Sequence, residues 1–376
     1  MLKVYSVKNC SLKSVIKQIF SDFNLSIPVK VFIKPNLGGR YPISQGENTR
    51  LDIIDSLCTF LAENGCQEIL VGHSSLLSFG HCRYDFDTLI KGSKFYRLRK
   101  NRIVKLINLD TVERVKFQVD NNDFNIPQIL QTHFYINLAN LKTHMETGVS
   151  LTLKNQVGLL PANERMRKHQ KDLDGSIASI GVVARPNFNI IDGRIGMEGN
   201  GPHHGAPKKT NLIFCGDDMV ELDSLACRLI GIDPLQVRHI TIAQDKGVGR
   251  LASDQQFFEY QRYFISFRKP DECYQKYKVV KVWPNKACSG CIFTLSEAHR
   301  KIRKNPFILL RFLLRLIRLG RLDVVLGKES QRYRQKYSSQ AIIIGNCAKD
   351  LAEVNPGCTF LPGCPPGEED IIKLLT

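Results

Sequence analysis

The sequence predicts an α/β protein in which a large N-terminal domain with a mainly parallel sheet is followed by a smaller α/β module. Across the first 250 residues, short apolar runs alternate with segments of helical periodicity, which is the pattern of strand–helix–strand units. After Trp283-Pro284, a shorter stretch combines strand-like runs with several cysteines. A chain of 376 residues is long enough for two such domains.

Charge and composition place the boundaries between these parts. The formal net charge is +17, and residues 256–340, with 19 Lys or Arg and 6 Asp or Glu, contribute +13 of it. We predict an α/β domain over residues 1–250, a basic and aromatic connection over 251–282, and a cysteine-bearing module over 283–376. Few aromatic residues stand between the basic residues of the module and no nucleic-acid-binding motif accompanies them, so we expect no nucleic-acid partner.

Five apolar runs predict the strands of the large domain. They cover residues 29–34, 68–72, 134–138, 188–192 and 211–215. Between the first two, apolar residues at helical spacing predict a helix with Asn48 or Thr49 as its N-cap and Gly65 at its end. After the last strand, Asp217 or Asp218 is the predicted N-cap of another helix.

Four cysteines of the module have the arrangement of a metal site. Cys288 and Cys291 are separated by Ser-Gly, so both thiolates can face one centre. Cys347 follows the strand-like run 341–345 and begins a helix-like segment, where the helix dipole lowers the pKa of a thiol. Cys364 follows another strand-like run, and α/β folds bind ligands at strand C-terminal ends. Cys358 is an alternative fourth ligand.

These cysteine motifs resemble those of a known cluster site. Cys-Ser-Gly-Cys at 288–291, Gly-Asn-Cys-Ala at 345–348 and Leu-Pro-Gly-Cys-Pro-Pro at 361–366 resemble, in order, the proximal-cluster site of the nickel–iron hydrogenase small subunit. The last two motifs are also similar to the cluster subunit of respiratory complex I. The resemblance implies one [4Fe–4S] cluster on Cys288, Cys291, Cys347 and Cys364. A structural zinc site and inert cysteines are the alternatives.

Three short motifs of the large domain each place a lysine beside an amide or imidazole side chain. They are Lys34-Pro35-Asn36, Lys142-Thr143-His144 and Lys154-Asn155. The first two close predicted strands, where an ammonium and a neighbouring polar group suit a carboxylate or phosphate. Solvated surface lysines are the alternative.

A glycine-rich polar loop follows the predicted strand 188–192. Asp192 and Glu198 lie in it, and we include both in the predicted anion-binding region. Together with Asp217, Asp218 and Asp223 they could instead bind a hard cation. Helix capping is the alternative for the last three carboxylates.

The polar motifs, in this order, resemble a recognised family. Lys-Pro-Asn, Leu-Lys-Thr-His, Leu-Lys-Asn, Asp-Gly-x-x-x-Met-Glu-Gly-Asn-Gly-Pro and Gly-Asp-Asp-Met-Val-Glu-Leu-Asp are similar to those of the domain-of-unknown-function family 362, from about residue 31 to 249. The family implies no particular reaction. Many of its members carry a ferredoxin-type Fe–S module, and here the hydrogenase-like cysteine site takes that place.

A basic apolar segment lies between the second and third cluster cysteines. We predict a basic amphipathic helix within residues 300–320, with Pro306 at its start and Gly320 at its end. Arg311, Arg315 and Arg318 form one stripe on it among leucine, isoleucine and phenylalanine. Such a helix can lie on an anionic membrane surface or bind a partner protein. A core helix with one wet face is the alternative.

These features together predict an iron–sulfur redox enzyme. The cluster would supply electrons to a small anionic substrate of the large domain, and a separate donor such as a ferredoxin would reduce the cluster. The alternatives are a non-catalytic electron-transfer or assembly protein, and a binding module with a structural metal. No signal peptide or membrane-spanning stretch is evident in the sequence, so we expect a cytoplasmic protein.

Overall fold

The computed structural model describes residues 1–38, 46–78, 81–170, 172–202, 204–270, 274–277, 279–328 and 330–376. The chain divides into two compact units. The first unit comprises Met1–Leu77 and Cys82–Pro270, and the second comprises Ser78–His81 and Asp271–Thr376. The division at residue 270 falls inside the predicted connection 251–282, whose first part belongs to the first unit.

The predicted α/β fold is confirmed, and within the described residues the first unit contains a nine-stranded mixed sheet. In chain order, the strands up to residue 270 are β1 (Leu2–Ser6), β2 (Lys30–Pro35), β3 (Glu68–His73), β4 (Leu76–Ser78), β5 (His81–Tyr84), β6 (Val104–Asn108), β7 (Arg114–Val119), β8 (Asn122–Pro127), β9 (Phe134–His144), β10 (Gly148–Ser150), β11 (Phe188–Asn200), β12 (His204–Lys209) and β13 (Leu212–Gly216). Strands β4 and β5, and likewise β7 and β8, form separate two-stranded sheets. The helices are α1 (Leu12–Asp22), α2 (Leu51–Glu63), α3 (Phe86–Ser93), α4 (Thr152–Asn155), α5 (Ala162–Gln170), α6 (Leu173–Val183), α7 (Met219–Leu229), α8 (Arg238–Asp245) and α9 (Asp254–Tyr260).

The order of strands in the large sheet is β1-β13-β11-β9-β2-β3-β6, with β10 on β9 and β12 on β11. The five central strands from β11 to β6 are parallel, and β13 and β1 extend the sheet antiparallel. Helices α1, α2 and α3 bury one face, and α6, α7 and α8 bury the other. Burial on both faces explains why the strands read as continuous apolar runs rather than as alternating ones.

The predicted ends of these elements agree with the structure in part. All five predicted strands are present, but β9 and β11 continue through polar residues well past the predicted ends. Asp218 is the N-cap of α7, as predicted, and accepts from the backbone of Val220 and Glu221. The predicted cap of α2 is wrong, because Arg50 precedes this helix while the Thr49 hydroxyl accepts from the Asn36 amide 2.8 Å away.

The second unit is a small parallel sheet with helices. It contains β14 (Tyr274–Tyr277), β15 (Val280–Trp283), α10 (Ser289–Lys304), α11 (Pro306–Leu319), β16 (Leu322–Leu326), β17 (Ile342–Ile344), α12 (Lys349–Glu353), β18 (Thr359–Leu361) and α13 (Glu368–Leu375). The strands pair in chain order, and all neighbours from β15 to β18 are parallel.

The predicted helix limits at Pro306 and Gly320 agree with α11, whereas residues 300–304 of the predicted segment 300–320 belong to α10. Residues 300–304 end α10, and α11 begins at Pro306, where the ring restrains the preceding residue away from helical geometry. The Asn305 side chain caps α11 by accepting from the backbone amides of Phe307 and Ile308. Among the described helices, none combines the length and the apolar character needed to cross a bilayer.

Candidate functional site

The large sheet has a point at which the direction of chain progression reverses. From β2 the chain moves to β3 and then to β6, and it returns to β9 on the other side of β2 before continuing to β11. Ligands of open α/β sheets bind outside the carboxyl ends of the strands at such a point. Lys34 lies near the end of β2 and Lys142 near the end of β9, so both lysines lie at this edge.

Lys34 is buried, with 1% of its surface exposed. Its Nζ donates to Asn155 Oδ1 at 3.2 Å and to the Pro35 carbonyl at 3.3 Å. Within the described residues, no carboxylate lies within ion-pair distance of this ammonium. Burial, followed by the positive charges of Arg165 and Lys142, lowers the pKa of Lys34 to about 7. The ammonium is therefore held by neutral oxygens alone.

Gly158 makes room for the Lys34 ammonium. This glycine lies in the short 3₁₀ helix Gln156–Leu159 that follows α4. A Cβ atom at position 158 would stand 2.8 Å from Lys34 Nζ and 3.0 Å from its Cε. The absence of a side chain here lets the lysine reach its position over the sheet edge.

Lys142 joins the same network through Asn36. Its Nζ donates to Asn36 Oδ1 at 2.8 Å and to the Glu47 carbonyl at 3.1 Å. Asn36 Nδ2 in turn donates to Asn155 Oδ1 at 3.2 Å, which links Lys142 to Lys34 through two amides. Burial lowers the pKa of Lys142 to about 8, and the Glu47 carboxylate acts in the opposite direction.

The other two residues of the lysine motifs have different neighbours. Burial lowers the pKa of Lys154, while the carboxylates of Glu146 and Asp174 act to raise it. His144 Nδ1 accepts from the backbone amide of Glu146 at 3.1 Å. The carboxylates that act on Lys154 thus come from the turn after β9 and from α6, and His144 contacts the backbone of that turn. The tight network comprises Lys34, Asn36, Lys142 and Asn155.

Two residues that sequence reasoning missed also lie at this edge. His73 is the last residue of β3, and its Nε2 accepts from the Leu37 amide at 3.3 Å while Nδ1 donates to the Ser74 carbonyl at 2.6 Å. Burial, together with the charge of Lys34, keeps the pKa of His73 well below its usual value, so the ring is neutral. Arg165 donates to Ser74 Oγ at 2.9 Å. His73 could have been predicted by the reasoning used for Lys34 and Lys142, because it is the last residue of a strand in the parallel sheet and ligands bind at such ends.

The predicted acidic residues make ion pairs elsewhere. Asp192 accepts from Arg194 at 2.8 and 2.9 Å, and Arg194 also donates to Asp52 at 2.7 Å. Glu198 lies 3.3 Å from Lys208 and accepts from the Arg268 backbone amide at 3.0 Å. Hydrogen bonds do not connect Asp192 or Glu198 to the lysine network in the part of the chain that is described.

The possible carboxylate cluster for a hard cation is not formed. Asp217 binds the N-terminal ammonium at 2.6 Å, and Asp218 caps α7. Asp223 accepts from the backbone amides of Thr152 and Leu153, both at 2.9 Å, at the start of α4. In the described ranges, no three His, Cys, Asp or Glu side chains converge as ligands of one metal ion.

The four predicted cluster cysteines follow three strands of the second unit, at one end of its sheet. Cys288 follows β15 and is the N-cap residue of α10, and Cys291 lies in the first turn of that helix. Cys347 and Cys364 each follow a strand by three residues, β17 and β18 respectively. Because β15, β17 and β18 run parallel, the loops after them meet at the same end of the sheet.

Short contacts join these three loops. The Asn346 amide donates to the Gly363 carbonyl at 2.9 Å, and the Gly363 amide donates to Asn346 Oδ1 at 2.7 Å, which holds the loops of Cys347 and Cys364 together. A Cβ atom on Gly345 would lie 3.0 Å from the Cys291 sulfur and 3.9 Å from the Cys347 sulfur. The absence of a side chain at position 345 therefore leaves room for the Cys291 sulfur beside the loop of Cys347.

The four thiols also influence one another's ionisation. The Cys291 thiol donates to the Cys288 sulfur, as do the backbone amides of Cys291 and Gly290, and the pKa of Cys288 falls to about 6. The pKa of Cys291 is raised by this bond, by burial and by the charges of Cys288, Cys347 and Cys364. Lys328, which the sequence reasoning missed, follows β16 and lowers the pKa of Cys288.

Cys358 lies at the other end of its strand. It directly precedes β18, whereas Cys364 follows that strand. The Cys358 sulfur lies 3.7 Å from the Ser339 carbonyl and 3.9 Å from the Ser338 carbonyl, and burial raises its pKa. Thiolates are the usual ligands of Fe–S clusters and of structural zinc. The four cysteines at the opposite end of the sheet are therefore chemically suited to an Fe–S cluster or to a zinc ion.

Similarity to known proteins covers part of the chain. The thylakoid-associated protein of Synechocystis sp. is 24% identical over 152 residues, which are 38% of this chain and 47% of that relative. The chain thus matches about half the length of this curated relative. No solved structure shows significant similarity to the chain. The model of a family described as "Domain of unknown function (DUF362)" matches residues 31–228, a range that contains the lysine network, and the protein therefore belongs to the DUF362 family.

Proposed function

We propose that the protein is an iron–sulfur redox enzyme, with one [4Fe–4S] cluster in the second unit and a site for a small anionic substrate in the first. The observation that carries the proposal is the placement of four cysteines, after three parallel strands, at one end of the small sheet. When bound, the cluster would supply one electron at a time, so a separate donor such as a ferredoxin is part of the proposal.

The proposed ligands are Cys288, Cys291, Cys347 and Cys364. Backbone amides at the start of α10 donate to Cys288, and such bonds stabilise a thiolate ligand. The positive charge of Lys328 acts on Cys288 and Cys347 in the same direction. Cys358 lies at the opposite end of β18, which favours Cys364 as the fourth ligand. The motifs around these cysteines are the ones that resemble the hydrogenase proximal-cluster site.

Anaerobic purification of the full chain tests the cluster. We expect about four iron and four sulfide per chain for Cys₄ ligation, with broad visible absorption that bleaches on reduction. Cys364→Ser should lose iron and sulfide, whereas the matched Cys358→Ser should retain both. Stoichiometric zinc without sulfide would contradict the redox proposal, and iron loss in Cys358→Ser alone would contradict the choice of the fourth ligand.

The proposed anion site is the network of Lys34, Asn36, Lys142 and Asn155. Two buried ammonium groups are held there by amide and carbonyl oxygens, so an anion would gain charge-assisted hydrogen bonds from both lysines. The two asparagines orient the lysines, and the neutral His73 and the charged Arg165 border them. Lys154 and His144 lie further along, beside Glu146.

Binding of simple anions to the full chain tests this site. We expect inorganic phosphate, sulfate or malonate to bind in calorimetric titrations, and we expect Lys34→Met and Lys142→Met each to weaken the same anion. Lys17→Met, at an exposed position on α1, is the matched control and should leave binding unchanged. Absence of binding by all three anions, in protein that carries a reducible cluster, would favour the alternative of a non-catalytic electron carrier.

The proposed location is the cytoplasm, at a membrane surface. The name of the Synechocystis relative reports association with the thylakoid for that protein, and we extend to this chain only a peripheral position at a membrane. Fractionation of cells should find the protein in the soluble and membrane-bound fractions, with release from membranes by high salt. Retention in membranes until detergent is added would contradict a peripheral location.

A further inference from the structure

Helix α11 exposes an apolar face. Two of its side chains, Phe312 and Leu316, are buried against the second unit. Five others, at spacings of three and four residues, face solvent over much of their surface. Their exposed fractions are 81% for Phe307, 56% for Leu310, 44% for Leu313, 57% for Leu314 and 78% for Ile317. Contiguous apolar surface of this kind is uncommon on a soluble monomer and marks an interaction site.

A basic border runs along this apolar face. Arg311 and Arg318 are exposed and Arg315 is partly exposed, at positions i, i+4 and i+7 of the helix. Arg303 and Lys304, at the end of α10, are exposed as well. None of these five basic residues forms an ion pair with a carboxylate in the described part of the chain. No acidic residue occurs in the sequence between Arg300 and Arg321.

Neighbouring basic residues are neutralised, which distinguishes them from the basic border. Lys301 lies 2.6 Å from both Glu368 and Glu369, and Arg300 lies 2.7 Å from Glu297. Arg321 lies 3.0 Å from Asp323. Within residues 300–321, the basic residues that form no ion pair with a described carboxylate are therefore the ones beside the exposed apolar side chains.

We infer that α11 binds an anionic lipid surface, with the apolar face at the level of the acyl chains and the basic border at the headgroups. This inference deepens the proposed peripheral location by naming the element and the charge of the lipid. An interfacial helix combines an apolar face with flanking Lys or Arg, and it lies in the plane of the membrane rather than across it. The exposed face offers only Phe, Leu and Ile, which suits lipid better than a protein partner that is recognised through hydrogen bonds.

Co-sedimentation of the full chain with vesicles tests the inference. We expect pelleting with phosphatidylcholine vesicles that contain phosphatidylserine, and little with phosphatidylcholine alone. Binding should weaken when salt rises from about 0.1 to 1 M, because the Debye length falls from about 10 to 3 Å. Each of Arg311→Gln and Arg318→Gln should weaken binding roughly fivefold, since each basic residue near an anionic surface contributes about that factor.

Variants of the apolar face and matched controls complete the test. Phe307→Ser and Ile317→Ser should each reduce pelleting without unfolding the second unit, because both side chains are exposed. Phe258→Ser on α9, with 64% of its surface exposed, and Arg99→Gln, also exposed, should leave pelleting unchanged. Fluorescence of Trp283, the single tryptophan, verifies that the second unit of each variant is folded.

Three outcomes would overturn the inference. One is no pelleting with phosphatidylserine vesicles at low salt. Another is equal pelleting with both vesicle types that the arginine substitutions do not change. The third is concentration-dependent self-association that Phe307→Ser abolishes, because a second copy would then cover the face. Iron content is measured on the same samples. A protein that carries its full iron content but does not pellet with the vesicles contradicts only the lipid inference and leaves the cluster proposal intact.

Discussion

Replacing Lys34 by methionine should stabilise the first unit while it weakens anion binding. Methionine keeps most of the side-chain length but removes the buried ammonium. Burial and neighbouring cations lower the pKa of Lys34 from its usual 10.5 to about 7, and a difference of about 3.5 corresponds to an unfavourable free energy of about 5 kcal/mol. Loss of two hydrogen bonds, to Asn155 and Pro35, offsets about 2 kcal/mol of the gain. We expect a net stabilisation of about 3 kcal/mol.

The pH dependence of this gain has a definite sign. The pKa of Lys34 is lower in the folded than in the unfolded protein, so the unfolded state binds more protons between pH 7 and 10.5. The free energy of unfolding of the natural protein therefore falls as the pH drops from 10.5 to 7. Below about pH 7 the contribution of Lys34 no longer changes with pH. The advantage of Lys34→Met should be complete below about pH 7 and should disappear toward pH 10.5.

Urea unfolding at a series of pH values measures the effect. Far-ultraviolet circular dichroism follows both units, whereas fluorescence follows the second unit alone, because Trp283 is the single tryptophan and lies there. The circular dichroism transition should shift to higher urea in Lys34→Met, and the fluorescence transition should stay in place. A loss of stability near pH 7, or a gain that persists unchanged to pH 10.5, would refute the reasoning. Lys17→Met is the matched control and should change neither transition.

Other substitutions test further contacts. Gly345→Ala should lower the iron content, because its Cβ atom would stand 3.0 Å from the sulfur of Cys291, a proposed cluster ligand, whereas Gly320→Ala, also at positive φ but with no atom within 4 Å, should retain the iron. Gly158→Ala should displace the Lys34 ammonium and weaken phosphate binding in calorimetry, with little change in unfolding temperature. Arg194→Met leaves a buried carboxylate of β11 unpaired and should lower the free energy of unfolding by about 3–5 kcal/mol in urea titrations.

The apolar signal of the sequence predicted the central strands but not their full length. Strands buried on both faces are apolar throughout, so the first residues of β9 and β11 were recognisable. Their later residues include Asn140, Lys142 and Asp192, and polar residues give no strand signal. The cap of α2 was missed for a related reason, because the Thr49 hydroxyl binds across the sheet to Asn36 and Asn140.

The candidate site was predictable where one rule of topology applied. Lys34 and Lys142 close two strands that proved to be neighbours at the reversal point of the sheet. The ion pairs of Asp192 and Glu198 depend on Arg194 and Lys208, which come near them only through the geometry of β11 and its pairing with β12. Such contacts depend on which residues of β11 and β12 pair with each other, and the sequence motifs alone do not predict that pairing.

The position of the lysine network at the reversal point of the sheet has a consequence for how the chain can vary. Strands β2 and β9 are direct neighbours, with Val31 opposite Phe134, although about a hundred residues separate them. The chain between them, residues 36–133 with β3 to β8, forms an excursion: it leads away from the lysine network after β2 and comes back to it at β9. Since the entropy of closing a loop grows only with the logarithm of its length, the outer part of this excursion can be lengthened or shortened at little cost. Lys34 and Lys142 would keep their positions through such changes, because β2 pairs directly with β9 and Asn36 and Glu47, which bind Lys142, lie before the outer part of the excursion.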